Sequence, residues 1–163
     1  IGDAGNITIN ALDTITFEGF DKKQFLSSEA RSTVSTQATG NGGTIRITGR
    51  ELFLKNGGQI NASSFGAGGS GNIFVNVKDA VNIDGVGGRD GTGSGIVSLM
   101  SGTAGKGGNI QVTTGSLSAT NGGILANFGE GEIGDIVINA RDSVKFDGAG
   151  NGLGSGASSV ILP

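Results

Sequence analysis

The chain contains no cysteine, histidine, tryptophan or tyrosine, and its one proline is the last residue, Pro163. Disulfide and thiolate chemistry are thereby excluded. With histidine go imidazole acid–base catalysis and His-ligated metal sites. The lack of cysteine leaves the redox compartment open. No apolar run approaches the roughly 20 residues that a bilayer-spanning helix needs. No signal-peptide pattern is visible in these residues. Eleven bases against 14 acids give a net charge of −3. That balance argues against nucleic acid as a partner, because its binding leans on Lys and Arg opposite phosphates.

What is abundant is glycine, 34 of 163 residues. Glycine does not fall at every third position, so the chain is not collagen-like. Ile, Val, Leu and Phe recur at fixed places, which a disordered chain does not do. The glycines therefore read as corner residues between short strands.

Five segments share one layout. Their first strands are Gly5-Asn6-Ile7-Thr8-Ile9, Gly43-Thr44-Ile45-Arg46-Ile47, Gly71-Asn72-Ile73-Phe74-Val75, Gly108-Asn109-Ile110-Gln111-Val112 and Gly134-Asp135-Ile136-Val137-Ile138. Apolar residues two apart are the signature of a strand with one buried face. Second strands are centred on Ile15, Leu52, Val81, Leu117 and Val144. A few residues further on stands Gly19, Asn56, Gly85, Asn121 or Gly148. Gly and Asn best tolerate φ > 0, so a left-handed corner is expected at each. Third strands are expected around Val34, Ile60, Val97 to Leu99, Ile124, and Val160 to Leu162.

Three strands and three corners describe one triangular coil. The expected fold is all-β, a right-handed parallel β-helix (solenoid) of about five coils with three short strands each. The chain reads as one such segment over 1–163, with coils at about 2–39, 40–68, 69–104, 105–130 and 131–163. The inward set of the first coil is Ile7, Ile9, Ile15, Phe17 and Val34. Each such side chain contributes roughly 1.5–3 kcal/mol when buried, provided neighbouring coils cover the open ends.

Long and short coils alternate. The steps Ile7 to Ile45, Ile45 to Ile73, Ile73 to Ile110 and Ile110 to Ile136 are 38, 28, 37 and 26 residues. The extra residues fall between strands two and three, at 20–31, 86–94 and 149–155. These loops are expected along one edge, roughly 9.6 Å apart.

One outward column reads Asp13, Arg50, Asp79, Gly115, Asp142, and another Glu18, Lys55, Asp84, Thr120, Asp147. A base or neutral residue separates successive acids, which favours the register. These acids repeat with the coils, whereas glycoside hydrolysis needs a lone facing pair. The calcium-binding β-roll motif does not recur. The column Asn6, Thr44, Asn72, Asn109, Asp135 is expected to form a side-chain ladder or to bond backbone groups. Gly85-Val86-Gly87-Gly88 and Gly105-Lys106-Gly107-Gly108 lack the Gly-Lys-Ser/Thr and helix of a phosphate-binding loop. Phe53 and Phe74 point outward and read as a surface packed over, for instance by a loop at 20–25, or as a place where a partner docks. Phe65 and Phe128 each lie eight residues before a first-strand Ile, and so read as equivalent corner residues. No catalytic, cofactor-binding or metal-ligating residue is assigned.

Stretches such as Gly107-Gly108-Asn109-Ile110-Gln111-Val112-Thr113-Thr114-Gly115-Ser116-Leu117-Ser118 and Ile138-Asn139-Ala140-Arg141-Asp142-Ser143-Val144-Lys145-Phe146-Asp147-Gly148 resemble the repeats of large filamentous-haemagglutinin-like exoproteins, in particular the cyanobacterial type of these two-partner secretion proteins. The resemblance covers nearly the whole chain. It implies a secreted or cell-surface passenger with a right-handed β-helix, exported through an outer-membrane β-barrel partner. The family's amino-terminal secretion domain is not among these residues, and no catalytic residues carry over.

The expected function is a non-catalytic structural or adhesive fibre segment. Its partners would be further coils or end-to-end copies, because no polar cap covers either end and open strand edges promote pairing. A pectate-lyase-like enzyme is the first alternative. The outward residues Thr8, Arg46, Phe74, Gln111 and Val137 suit that chemistry poorly. A module binding glycans, surfaces or ice is the second, although ice binding would want regular ranks of Thr.

Overall fold

The computed structural model describes residues 2–24, 26–85, 87, 93–102, 105–150 and 152–162. Within them the chain is all-β, and no helix is long and apolar enough to cross a membrane. The strands are β1 (Ile7–Asn10), β2 (Thr14–Glu18), β3 (Phe20–Asp21), β4 (Leu26–Ser27), β5 (Glu29–Arg31), β6 (Ile45–Lys55), β7 (Gln59–Asn61) and β8 (Ile73–Asp84). They continue with β9 (Gly95–Met100), β10 (Ile110–Thr120), β11 (Ile124–Gly129), β12 (Ile136–Asp147), β13 (Ala149–Gly150), β14 (Leu153–Gly154) and β15 (Gly156–Ile161).

Two parallel sheets carry the architecture. One runs β1-β6-β8-β10-β12, with β2 also on β6, and the other runs β15-β11-β9-β7-β5. This stacking is consistent with a β-solenoid. The first-strand isoleucines lie in register from repeat to repeat: Ile7 on Ile45, Ile45 on Ile73, Ile73 on Ile110 and Ile110 on Ile136. The long and short steps read from the sequence are therefore the true stacking distances along the chain.

The core lies between the sheets. Ile45, Ile47, Leu52, Leu54 and Ile60 are fully buried, as are their counterparts Ile73, Val75, Val81, Ile83 and Ile96 in the next repeat. In the first repeat the expected inward set is buried only at Ile15 and Val34, since Ile7, Ile9 and Phe17 stay partly open. The last repeat is more open still, with Val144 and Phe146 46% and 41% exposed.

The first expected corner is absent from the middle repeats. There the first and second strands are one continuous strand, β6, β8 or β10, and the last repeat has the same form in β12. The pairing register shifts within it, between Gly49 and Glu51 and between Thr113 and Ser116. A bulge of this kind bends a strand and interrupts its ladder only locally. It also absorbs the difference between the five-residue and six-residue spacings of short and long repeats.

The second corner is where it was expected. Gly19, Asn56, Gly85, Asn121 and Gly148 all have positive φ. In short repeats Gly57 and Gly122 follow with φ of 90° and 87°. Gly58 N–H then donates to the Lys55 carbonyl at 2.9 Å, and Gly123 N–H to that of Thr120 at 3.0 Å. Two successive left-handed residues closed in this way form a tight type I′ turn.

Long repeats replace that turn with a loop. The loop ends sooner in the first repeat than expected, because Glu29–Arg31 is already strand β5. Phe20–Asp21 pairs antiparallel with Leu26–Ser27, and Ala149–Gly150 with Leu153–Gly154. Most of 86–94, and Phe25, lie outside the described residues. Each loop is fastened by a serine. The hydroxyls of Ser28, Ser94 and Ser155 donate to the carbonyls of Glu18, Asp84 and Asp147, each at 2.8 Å. Ser94 and Ser155 also accept from the N–H of Gly57 and Gly122 in the preceding repeat. Four residues later a second serine, Ser32, Ser98 or Ser159, donates to the carbonyl of Gly5, Gly71 or Gly134.

Ser94 is fully buried. Replacing it with Ala strands the Gly57 N–H and leaves the Asp84 carbonyl with its bond from Asn56 N–H alone. We expect Ser94→Ala to lower unfolding free energy by about 1–3 kcal/mol, read from the urea midpoint. A loss within about 0.5 kcal/mol would show that the clasp is redundant.

The third side also departs in detail. Val34 stands outside β5 and pairs as a single bridge with Ser64, which pairs in turn with Met100. Val160 and Ile161 lie in β15, while Leu162 follows it. Gly129 is also aligned with Met100. Phe65 therefore sits two positions beyond Phe128 along the stack, and the two are not equivalent. Counting back from the next isoleucine failed because the last connection varies in length between repeats. Phe65 is 41% exposed, and Phe128 is half-buried.

Candidate functional site

Side chains on the outer face of the large sheet stand in columns, one residue per repeat. The first acidic column is interleaved as expected. The Arg50 guanidinium pairs with Asp13 on one side and with Asp79, 3.2 Å away, on the other. These hydrogen bonds, with Asp13 foremost, hold Arg50 above its ordinary pKa. Beyond Gly115, Asp142 pairs at 2.7 Å with Arg141 of its own strand.

In the second column Asp84 accepts from the Thr120 hydroxyl at 2.9 Å and from the Asn121 amide at 2.7 Å. Asn56 donates likewise to Glu18 at 3.1 Å. The corner asparagines thus serve two purposes, a left-handed backbone and a link to an acid in the preceding repeat. On the last strand a hydrogen bond and the charge of Lys145 hold Asp147 below its ordinary pKa. Among the described residues no three acidic side chains gather where a metal ion could be held.

The Asn column bonds to backbone. Asn6 Oδ1 accepts from Thr44 N–H, Asn72 Oδ1 from Asn109 N–H and Asn109 Oδ1 from Asp135 N–H, at 2.7–2.8 Å. Each side chain thereby extends the ladder by one rung where the strand begins. The glycine loop at 105–108 is also a rung, not a phosphate cradle. Lys106 pairs with Glu132 through backbone and side chain, with Nζ 3.2 Å from the carboxylate.

Two cations rest on the outward aromatics. Arg46 Cζ lies 4.5 Å from the centre of the Phe74 ring, and Lys55 Nζ lies 4.6 Å from that of Phe53. Such contacts hold the cation over the negative face of the ring. Arg46 and Phe74 are register partners on neighbouring strands. With Thr48, Asn76, Gln111 and Thr113 they line a groove of about 280 Å³.

Two columns cross this groove. One reads Thr8, Arg46, Phe74, Gln111, Val137 and was legible in the sequence. The other reads Asn10, Thr48, Asn76, Thr113, Asn139, with Asn in every long repeat and Thr in every short one. That alternation was overlooked. Its signal is a polar residue three places after each first-strand isoleucine.

Fold and surface together define a parallel β-stack whose polar side chains chiefly link one repeat to the next. No protein-family model matches the chain, and neither does any curated protein or solved structure.

Proposed function

We propose that this chain is a non-catalytic structural or adhesive segment of a secreted, filamentous-haemagglutinin-like cell-surface protein. In this reading it winds as a right-handed β-helix of five coils, alternately long and short. The observation that carries the reading is where the polar side chains spend their bonds. Arg50, Asn6, Asn72, Asn109, Asn121 and the clasping serines Ser94 and Ser155 all reach into an adjoining repeat. A surface organised this way favours a rod, because its bonds run from each repeat to its neighbours along the stack.

The partners proposed are further repeats continuing the stack and an outer-membrane β-barrel transporter during export. The location proposed is the cell exterior. Electron microscopy of the full-length product is the test. A long rod about as wide as one repeat is expected, and a compact globule would overturn the proposal.

A further inference from the structure

We infer that the groove over Arg46 and Phe74 is a binding site for an acidic polysaccharide, taking one uronate ring of the chain at a time. The two columns that cross the groove contain ten residues and no acid. This is notable in a chain with 14 acids and 11 bases. Arg46 is the one cation in those columns. Among the described residues no carboxylate pairs with it, whereas Arg50, two residues beyond Thr48 on the same strand, is held between two. Its contact with the Phe74 ring steadies the guanidinium. The edge N–H groups then remain available for a two-pronged bond to a carboxylate.

The rest of the lining fits the same ligand. Phe74, a half-buried ring with Arg46 over one face, adds apolar surface against which the C–H groups of a sugar can pack. Thr48, Asn76, Gln111 and Thr113 offer neutral donors and acceptors to its hydroxyls. The groove volume lies just under the roughly 300–1,000 Å³ of small-ligand sites, which suits a single ring. An added peptide strand does not fit. The backbone groups beneath are already paired between β6, β8 and β10, so only side chains can recognise the occupant. The backbone that carries those side chains is fixed by the ladder on both sides, which reduces the ordering that binding requires.

The test is titration of the chain with an oligogalacturonate of defined length, followed by calorimetry. A neutral oligosaccharide of the same length and polyglutamate serve as comparison arms. Saturable binding of one oligogalacturonate per chain is expected, weakening as salt rises. The neutral sugar and polyglutamate should each bind at least roughly tenfold more weakly. Arg46→Gln and Phe74→Leu should each reduce affinity by roughly tenfold or more. Lys145→Gln, which removes an exposed cation of the last strand, should leave it unchanged. Circular dichroism verifies that each variant keeps its strands. Absence of saturable binding would overturn the inference. So would equal affinity for polyglutamate or for the neutral sugar, or an Arg46→Gln variant that binds as well as the parent chain.

Discussion

Gly108→Ala lowers the unfolding free energy by about 3 kcal/mol or more, while Gly5→Ala at the corresponding place in the first repeat changes it by less than about 0.5 kcal/mol. The two residues belong to one column with Gly43, Gly71 and Gly134. A Cβ on Gly108 would stand 1.9 Å from the Gly71 carbonyl oxygen, and one on Gly71 would stand 2.1 Å from that of Gly43. None of these five has a left-handed φ. The constraint is the closeness of the neighbouring backbone, which is itself held by hydrogen bonds such as Ile73 N–H to the Asn109 carbonyl at 2.8 Å. Neither strand can retreat without losing rungs. A Cβ on Gly5 meets nothing within 4 Å. Urea titration of both variants checks the pair. Equal stability of the two would show that the stack has slack at this column.

Leu52→Ala is expected to cost about 2–5 kcal/mol, and Val144→Ala under about 1 kcal/mol. Ile15, Leu52, Val81, Leu117 and Val144 form one inward column. Leu52 is fully buried between two neighbours, whereas Val144 is 46% exposed on the last strand. Truncation at Leu52 leaves a cavity that the paired strands cannot collapse to fill. At Val144 the side chain has one covered side to lose. Similar losses at both sites would contradict stability concentrated in the middle repeats.

Much of this architecture was readable before any coordinates. Alternating apolar residues gave the buried face. The Gly and Asn residues at 19, 56, 85, 121 and 148 gave the left-handed corners, because few other residues adopt that conformation without strain. Register followed from counting isoleucines. The bend near Gly49 was misread as a corner because an apolar pattern records which way side chains point, not whether the ladder between strands continues. The role of Gly43, Gly71, Gly108 and Gly134 was misassigned for a related reason. A glycine needed for closeness and one needed for φ look identical in sequence. The paired serines, such as Ser94 and Ser98, went unread. Their meaning depends on which carbonyls the fold brings near. Of the groove, only the outward column with Arg46 and Phe74 was read, and as a surface poorly suited to chemistry on carbohydrate. The acid-free columns became meaningful once register placed Arg46, Phe74 and Gln111 side by side.

The alternation of long and short repeats imposes a parity on any lengthening or shortening of the stack. Excising the second repeat alone would lay Asp79 beside Asp13 and Asp84 beside Glu18, with no base between them. It would also crowd two looped repeats against each other, with no tight Asn56-Gly57 turn to separate them. Excising two adjacent repeats restores the alternation. The natural quantum of duplication is thus the pair, 66 residues from Ile7 to Ile73 and 63 from Ile73 to Ile136, and lineages of such chains should differ in length by whole pairs.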